Sequence, residues 1–386
     1  MNYFFAQCEL MRYPDLTGKA VVIGGREEHA PYEKPDGNRV YCRMRNFGAL
    51  RGVVTTATYE ARAFGVKSGM PMSVAARLAP DAICLPTDFQ LYRKYSTAFK
   101  AAIATIAPHI EDVGIDEVYA DISSISGEPY DIARRIQDAV HAATGLTCSI
   151  GLSYCKRIAK IASDLQKPNG LTVVSRQDVP HLIWPLHVRE VNGIGPKAVE
   201  KLQVLGITTI GELACADAAT LQLHFGRTYA AWLLDAANGI DERPVVTHWE
   251  PKQMSRETTF DRDLHPRADR DALSKAFTDL CIRAAQDLQR KGYVGKTIGI
   301  KMRYSGFVTV TRDFTMRDYT DDAGMIRRAA TECLKRVPLD KSIRLLGIRI
   351  SGLVQKALVP PPELLQADLF DQASDASTYS RKLCKG

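Results

Sequence analysis

The stretch Ile110-Glu111-Asp112-Val113-Gly114-Ile115-Asp116-Glu117-Val118-Tyr119-Ala120-Asp121-Ile122 sets two adjacent carboxylates between two short apolar runs. These runs have the length and residue types of strands, so the sequence predicts a β-hairpin with acids at its tip. Neighbouring side chains point to opposite faces of a regular strand, but at a turn both can converge on one cation. Such oxygen ligands suit Mg²⁺, which shares its coordination shell with substrate phosphates. Alone, an Asp116-Glu117 pair is more commonly a surface turn.

Around this hairpin the sequence predicts alternating strands and helices. Strands are expected at 20–25, 53–57 and 147–152, and helices from residue 59 and over 88–108, 130–144 and 157–166. Residues 26–50 are polar, with Pro and Gly, and are interpreted as loop. Strand pairs each followed by a helix indicate an α+β domain with helices on one face of an antiparallel sheet.

The rest of the chain changes character twice. Residues 178–239 contain only short helical patterns, and 243–249 is interpreted as a linker. Residues 297–304 alternate, with Lys301 and Arg303 on one face and apolar residues on the other, and 348–350 repeats the alternation. This pattern predicts a half-buried sheet with cations on its open face. Residues 358–386 are Pro-rich and polar and are expected to be disordered apart from one apolar cluster.

Composition excludes several classes. A chain of 386 residues is expected to form two to four domains at roughly 100–200 residues each. No run approaches the roughly 18 apolar residues of a membrane helix. Nine cysteines without a C-x-x-C pair, and no secretory signal at the N-terminus, favour a cytoplasmic protein with reduced thiols over a zinc or disulfide scaffold.

The positive charge is concentrated in one segment. The net charge is +7, yet residues 251–350 carry 21 basic and 13 acidic side chains, so the remainder is close to neutral. Such a segment is expected of a module that binds phosphates, although a solvated charged face is an equally open interpretation.

Three further motifs could carry function. Residues 55–66, TTATYEARAFGV, run from a strand into a helix with Thr56, Tyr59 and Arg62 near its start, which could bind an anion. Residues 191–197, VNGIGPK, place Gly193, Gly195 and Lys197 as in a helix-hairpin-helix, a sequence-independent grip on DNA. Gln366, Leu369 and Phe370 form a short apolar motif suited to a pocket on a partner.

The ordered set of motifs resembles the Y-family translesion DNA polymerases over essentially the whole chain. Residues 1–6 resemble the end of the family's first palm strand, 55–66 its fingers motif, and 114–117 its catalytic motif with Gly114 in place of Ser. Residues 151–162 resemble a further family segment, with Cys155 where Asn is usual, and 167–170 its K-P-N-G. The Gln366 motif resembles the sliding-clamp peptide, with Ala367 where Leu is usual.

The resemblance implies a right-hand, α+β multidomain fold with a ferredoxin-like palm, small fingers, a helical thumb with the helix-hairpin-helix, and a β-sheet/α little finger. The expected boundaries are as follows: palm 1–9 and 86–175, fingers 10–85, thumb 176–242, linker 243–251, little finger 252–357, and a tail 358–386 with the clamp motif.

The implied activity is distributive, low-fidelity DNA-directed DNA synthesis in damage tolerance, with two Mg²⁺ ions, primer-template DNA, dNTP and the β sliding clamp as ligands of a monomer. Asp116, Glu117 and the Met1 carbonyl would hold metal, and Phe5 would exclude ribose. The remaining implied contacts are Phe4, Thr56, Tyr59, Arg62 and Lys167 for the nucleotide, and Gly193, Gly195, Lys197, Ser255, Arg256, Lys301 and Arg303 for DNA.

One departure concerns the start of the sequence. In the family an Asp immediately before the Met of the first strand is a metal ligand, whereas this sequence begins at Met1. Asn2 replaces a second Asp of the family pattern, and that Asp is not usually a ligand. An upstream start, with an in-frame Asp codon, is the favoured expectation because the downstream functional positions are kept. A non-catalytic accessory subunit that binds DNA and clamp, and a helix-hairpin-helix glycosylase or nuclease, are the alternatives.

Overall fold

The computed structural model describes residues 1–47 and 51–359 and separates into two compact units, Met1–Trp249 and a second that starts at Glu250. Three buried apolar clusters lie in the first unit and one in the second. Within the described ranges, no helix is long and apolar enough to span a bilayer. The tail motif with Gln366, Leu369 and Phe370 lies outside the described residues.

The first unit begins with a small mixed sheet and three helices. In the sheet, the strands run in the order β4 (Cys42–Arg43), β6 (Ile83–Pro86), β1 (Val21–Gly25) and β5 (Thr56–Ala57). Strand β1 pairs parallel to β6. The predicted loop over 26–50 is partly wrong, because it contains three two-residue strands, and the predicted strand over 53–57 is reduced to its last two residues. The elements are α1 Phe4–Arg12, β1 Val21–Gly25, β2 Tyr32–Glu33, β3 Arg39–Val40, β4 Cys42–Arg43, β5 Thr56–Ala57, α2 Tyr59–Ala63, α3 Met72–Leu78 and β6 Ile83–Pro86.

The predicted hairpin is present: β7 pairs antiparallel to β8, and the acids stand at its turn. The expected single antiparallel sheet is wrong. β9 and β10 form a separate parallel pair, because α6 between them returns the chain to the same end of the sheet. The elements are α4 Phe89–Ala104, β7 Ile110–Gly114, β8 Glu117–Ala120, α5 Pro129–Thr144, β9 Ile150–Ser153, α6 Lys156–Leu165 and β10 Leu171–Val174.

The expectation that residues 1–6 end a strand is wrong, because α1 starts at Phe4. Phe4, Gln7 and Cys8 are buried at the i, i+3, i+4 spacing of a helix face. Met1 and Asn2 belong to neither helix nor strand. The Met1 amine donates to the Asp116 carbonyl (2.8 Å), and the Asn2 N–H donates to the Thr147 carbonyl (3.4 Å). The start of the chain therefore lies between the hairpin turn and the segment that leads into β9.

The predicted all-helical segment follows. Its helices enclose an apolar core that includes Leu202, Ile210, Leu221 and Leu233. Residues 243–249 contain neither helix nor strand, as predicted for the linker. The elements are α7 Pro196–Val204, α8 Ile210–Ala214, α9 Ala218–Phe225 and α10 Arg227–Ala237.

The second unit is an antiparallel sheet with two helices packed against it. Its main strand order is β11-β14-β12-β13, with β15 paired to the start of β12. Ile298, Ile300 and Met302 are buried with α11 and α12, so the predicted alternation is confirmed. The elements are β11 Gln253–Leu264, α11 Arg270–Lys291, β12 Tyr293–Tyr304, β13 Thr309–Thr320, α12 Ala323–Leu334, β14 Ile343–Ser351 and β15 Val354–Gln355.

Candidate active site and nucleic-acid interface

The carboxylate pair stands at the edge of a cavity of about 490 Å³ in the first unit. Asp116 occupies the hairpin turn, and Glu117 opens β8. The Glu117 carboxylate lies 3.0 Å from the Lys160 ammonium, which also lies 3.5 Å from Asp164. Met1 lines the same cavity. The hairpin and α6, which are distant in sequence, thus face each other across one space.

Two of the basic residues that line this cavity, Lys160 and Lys167, lie on or next to α6. Lys160 projects from α6, and Lys167 follows that helix and contacts Asp164 at 2.5 Å. Burial opposes the charge of Lys160, but the carboxylates of Glu117 and Asp164 outweigh it and raise the pKa of Lys160. Lys160 therefore stays positively charged over the physiological pH range. It was missed as a site residue, although its i, i+4 spacing from Lys156 and to Asp164 marks one face of α6.

The fingers motif brings a second cation. Arg62 Nε donates to the Ala57 carbonyl (3.0 Å), and its guanidinium lies over the Tyr59 ring at 5.2 Å from the centroid. The second terminal nitrogen reaches the Thr56 hydroxyl at 3.4 Å. The helix α2 has only five residues, and the Thr58 hydroxyl already accepts from one of its first N–H groups. Anion binding here therefore depends on side chains rather than on the helix terminus.

Tyr59 connects three parts of the first unit. Its ring meets that of Tyr3 edge to face, with centroids 4.9 Å apart. Burial raises the pKa of Tyr59, and the nearby Asp164 carboxylate raises it further while Arg62 opposes them. The start of the chain, the fingers motif and α6 are thus close together, an arrangement that no local spacing predicted.

Phe4 and Phe5 lie in different environments. Phe5 is half-buried and stacks on Tyr92, with ring centroids 4.2 Å apart and an interplanar angle of 12°. Phe4 is 3% exposed, and its ring packs against Phe99 in the core. Any contact of Phe4 with a nucleotide would therefore have to use its backbone.

The candidate ligands for a divalent cation are the two carboxylates of the hairpin turn. Asp116 and Glu117 supply hard oxygen ligands of the type that Mg²⁺ and Mn²⁺ accept. Within residues 1–47 and 51–359 no group of three or more acidic, histidine or cysteine side chains is placed so that it could hold a metal ion. Burial raises the pKa of Cys148, beside this cavity, to about 11, so it offers no thiolate. The described residues thus fit a cation held by two carboxylates, and among them no third carboxylate lies close enough to complete the group.

The two glycines of the glycine-rich hairpin have different surroundings. Gly193 has φ +110°, and a Cβ there would lie 2.6 Å from the Trp232 ring. The Tyr229 hydroxyl also donates to the Gly193 carbonyl (2.9 Å). At Gly195 a Cβ would meet nothing within 4 Å, and Lys197 beside it is exposed. The short helix before the hairpin is a single 3₁₀ turn, Val188–Glu190.

The second unit presents the predicted cations on the sheet face opposite the helices. Lys301 pairs with Glu257 on β11 (2.8 Å), and Arg303 Nε donates to the Thr309 hydroxyl (2.9 Å). Ser255 lies on the same face, opposite Arg349 of β14. Arg349 was not among the expected contacts, although it is the polar residue of the alternation at 348–350.

Arg256 corrects the expectation for β11. It lies opposite Ile348, which is buried, so strand alternation turns it to the helix side. There its guanidinium donates to both carboxylate oxygens of Asp287 on α11, one at 2.8 Å. Arg256 therefore anchors a helix and is not on the face that carries Lys301.

Comparisons with known proteins agree along the whole chain. Models of the impB/mucB/samB family match residues 1–164 and, for its C-terminal domain, 251–362, and the IMS family HHH motif matches 176–207. DNA polymerase IV of Methanoculleus marisnigri is 38% identical over 92% of both chains. DNA polymerase IV of Streptomyces coelicolor is 36% identical over 97% of this chain and 72% of its own. A Y-family DNA polymerase chimera of Dbh and Dpo4 superposes with a TM-score of 0.75 at 25% identity, covering 92% of this chain and 97% of that one.

The chain therefore belongs to the Y family of DNA polymerases, among the relatives called DNA polymerase IV. It is a DNA-directed DNA polymerase for translesion synthesis, and membership of this family implies use of a divalent metal. An accessory subunit, a glycosylase and a nuclease are not favoured, since matches of this extent are to polymerases.

Proposed function

We propose that this chain adds deoxynucleotides to a primer 3′-hydroxyl with Mg²⁺ as its metal and releases pyrophosphate. The observation that carries the proposal is that Asp116 and Glu117 line the same cavity as Lys160 and Lys167. Carboxylates there can hold cations, and lysines there can neutralise a triphosphate, which is the pairing of charges that phosphoryl transfer requires.

Asp116, Glu117 and the Met1 carbonyl would hold the Mg²⁺. When bound, the metal lowers the charge of the phosphates and favours the primer hydroxyl as nucleophile. The chain itself contributes position: the Asp116 carbonyl is engaged by the Met1 amine, which ties the turn to the start of α1. The resemblance implies two ions, and the described carboxylates account for two of their ligands.

The triphosphate would bind to Arg62, Tyr59, Thr56 and Lys167, with Lys160 as a further cation. Lys160 and Lys167 share Asp164, so a bound triphosphate can replace that carboxylate without either lysine having to move far. Arg62 is held by the Ala57 carbonyl and the Tyr59 ring, which leaves its guanidinium oriented but not neutralised.

Phe5 would select deoxyribose. Its ring is held by Tyr92 on one face, so it cannot easily move aside for a 2′-hydroxyl. Selection by such a ring is steric, because an added oxygen overlaps a side chain that its neighbour fixes in place.

We assign the regions 1–9 and 86–175 as palm, 10–85 as fingers, 176–242 as thumb and 252–357 as little finger. In the thumb, the open backbone at Gly195 and the exposed Lys197 suit a phosphate contact. In the little finger, Ser255, Lys301, Arg303 and Arg349 lie on one face suited to a DNA backbone. Contacts of this kind to the phosphate backbone do not depend on sequence, which suits a polymerase acting on any template.

We further propose a cytoplasmic monomer that is recruited to the β sliding clamp by Gln366, Leu369 and Phe370. The cytoplasm is supported by the thiols: all eight cysteines of the described ranges are free. A short apolar motif in the tail is suited to a clamp pocket whether or not the catalytic core has bound DNA.

The test is extension of a primed template with each dNTP, with Mg²⁺ supplied and then removed by chelation. One pyrophosphate per nucleotide is expected with Mg²⁺, and none after chelation. The lesion-bypass component is tested on the same template with one abasic site. Extension that persists without a divalent ion, or its absence on undamaged DNA in Mg²⁺, would contradict the proposal.

A further inference from the structure

The second unit has an apolar groove on the side of the sheet away from Lys301. The groove lies between β13 and α12 and encloses about 420 Å³. We call it the edge groove. Its apolar lining consists of Phe314, Met316, Met325 and Ala329.

Strand order explains why this groove is open. β13 is the last strand in the sheet order, so α12 covers only part of its helix-facing side. Phe314 pairs with Ile298, which is buried under the helices, yet Phe314 is itself 39% exposed. The groove is therefore an outward extension of the hydrophobic core and is separate from the cationic sheet face.

The rim of the edge groove is basic. Arg327 and Arg328 line it, and Arg327 donates to the Thr278 hydroxyl (3.0 Å). Among the residues that the structure describes, Arg328 forms no ion pair. Glu332 also lines the groove, and its carboxylate is paired with the Lys335 ammonium at 2.6 Å. An apolar ligand with acidic flanks would match both the lining and the rim.

We propose that the edge groove binds the tail of this same chain, with Leu369 and Phe370 in the apolar lining. The segment 362–373, PELLQADLFDQA, contains Glu363, Asp368 and Asp371 and no basic residue. Two of these acids flank the apolar pair directly, which places negative charge where Arg327 and Arg328 form the rim.

The connection is long enough. The last described segment is held next to α12, since Lys356 contacts Asp321 at 2.8 Å just before that helix. From residue 359 to Leu369 an extended chain spans roughly 30 Å, while the 12 residues of α12 span roughly 18 Å. The tail can therefore reach the whole groove from its own exit point.

The docking has a regulatory consequence that rests on the proposed clamp function. Leu369 and Phe370 cannot occupy the edge groove and a clamp pocket at once, so the free enzyme keeps its clamp motif covered. A clamp would have to displace the tail, and the competition lowers the apparent affinity for the clamp until DNA brings the two together.

The experiment uses the full chain without clamp, so it is independent of clamp binding. A labelled peptide of residues 362–373 is titrated with the intact chain and with a chain carrying Leu369→Asp and Phe370→Asp. The altered tail should leave the groove free, so the peptide should bind this variant about tenfold more tightly than the intact chain. Equal affinities for the two chains would overturn the proposal.

The site is tested in the same variant background. Phe314→Ser should weaken peptide binding at least fivefold, whereas Tyr319→Ser, an equally exposed aromatic on the same strand, should not. Arg328→Glu should also weaken it, and a peptide with Asp368→Lys should recover part of the loss. Binding unchanged by Phe314→Ser and Arg328→Glu would show that the peptide binds elsewhere. If the peptide binds this groove but not the clamp, only the proposed recruitment fails.

Discussion

The carboxylate site of the first unit and the cationic sheet face of the second are the two charged surfaces proposed to bind nucleotide and DNA, and they are built differently. The first gathers the chain start, the fingers motif, the hairpin and α6, and pairs half-buried groups such as Glu117 and Lys160. The second uses alternate residues of adjacent strands, with exposed pairs such as Lys301 and Glu257.

This difference predicts how each surface responds to substitution. A half-buried charge that loses its partner remains poorly solvated, so single changes in the first unit should have large effects. Exposed pairs contribute roughly 0–1 kcal/mol each, so single changes on the sheet should alter DNA affinity modestly and additively.

The largest effect is expected for Asp116→Ala. Extension should fall on the order of 10³-fold or more, because a metal ligand is lost, while primer-template affinity should be nearly unchanged. Single-turnover extension and DNA titration measure the two quantities. Asp112→Ala is the matched control, since Asp112 is on the same hairpin but pairs with Lys100 at the surface. Near-normal extension by Asp116→Ala would contradict the proposal that Asp116 is a metal ligand.

Phe5→Ala should admit ribonucleotides. Removing the ring that Tyr92 holds in place should lower the ratio of dNTP to rNTP efficiency by about tenfold or more, an overlap cost of roughly 1–3 kcal/mol. Insertion of single dNTP and rNTP on one template gives the ratio. The ratio for Phe5→Leu, which keeps most of the side-chain volume, should lie between the ratios of the unaltered chain and of Phe5→Ala. An unchanged ratio in Phe5→Ala would make Phe5 an ordinary packing residue.

Lys301→Ala should weaken binding of DNA of any sequence by a small factor and reduce the slope of log affinity against log salt by about one. Arg312→Ala carries the same charge change but lies opposite the buried Ile300, on the helix side of the sheet, so its slope should change less. Titrations at several salt concentrations decide between them, and equal slopes for both variants would show that the sheet face has no special role.

The smallest effect on chemistry is expected from deleting 366–370. Extension of a short primer should be unchanged, while stimulation by a sliding clamp should be lost. Burial of Leu369 and Phe370 gives roughly 1.5–3 kcal/mol each before ordering costs, so a micromolar peptide is expected. Replacing Gln372 and Ala373 with Ser provides a control outside the motif. Retained stimulation by the deleted chain would contradict recruitment through this motif.

Much of both surfaces was predictable. The acids at the hairpin tip, the helix over 88–108 and the alternation over 297–304 all follow from local spacing, and each is present. The failures are informative. The parallel pairing of β9 with β10 follows from the crossover helix α6 between them. The helix that starts at Phe4 buries Phe4, Gln7 and Cys8 on one face, which a strand could not do.

By itself the sequence determined where charge and apolar faces fall within each element, because strand and helix periodicity is a property of neighbouring residues. Tertiary structure alone decided that Lys160 meets Glu117, that Tyr3 meets Tyr59 and that Arg256 turns to Asp287. These contacts join residues far apart along the chain, and they depend on which elements pack together to remove apolar surface from water.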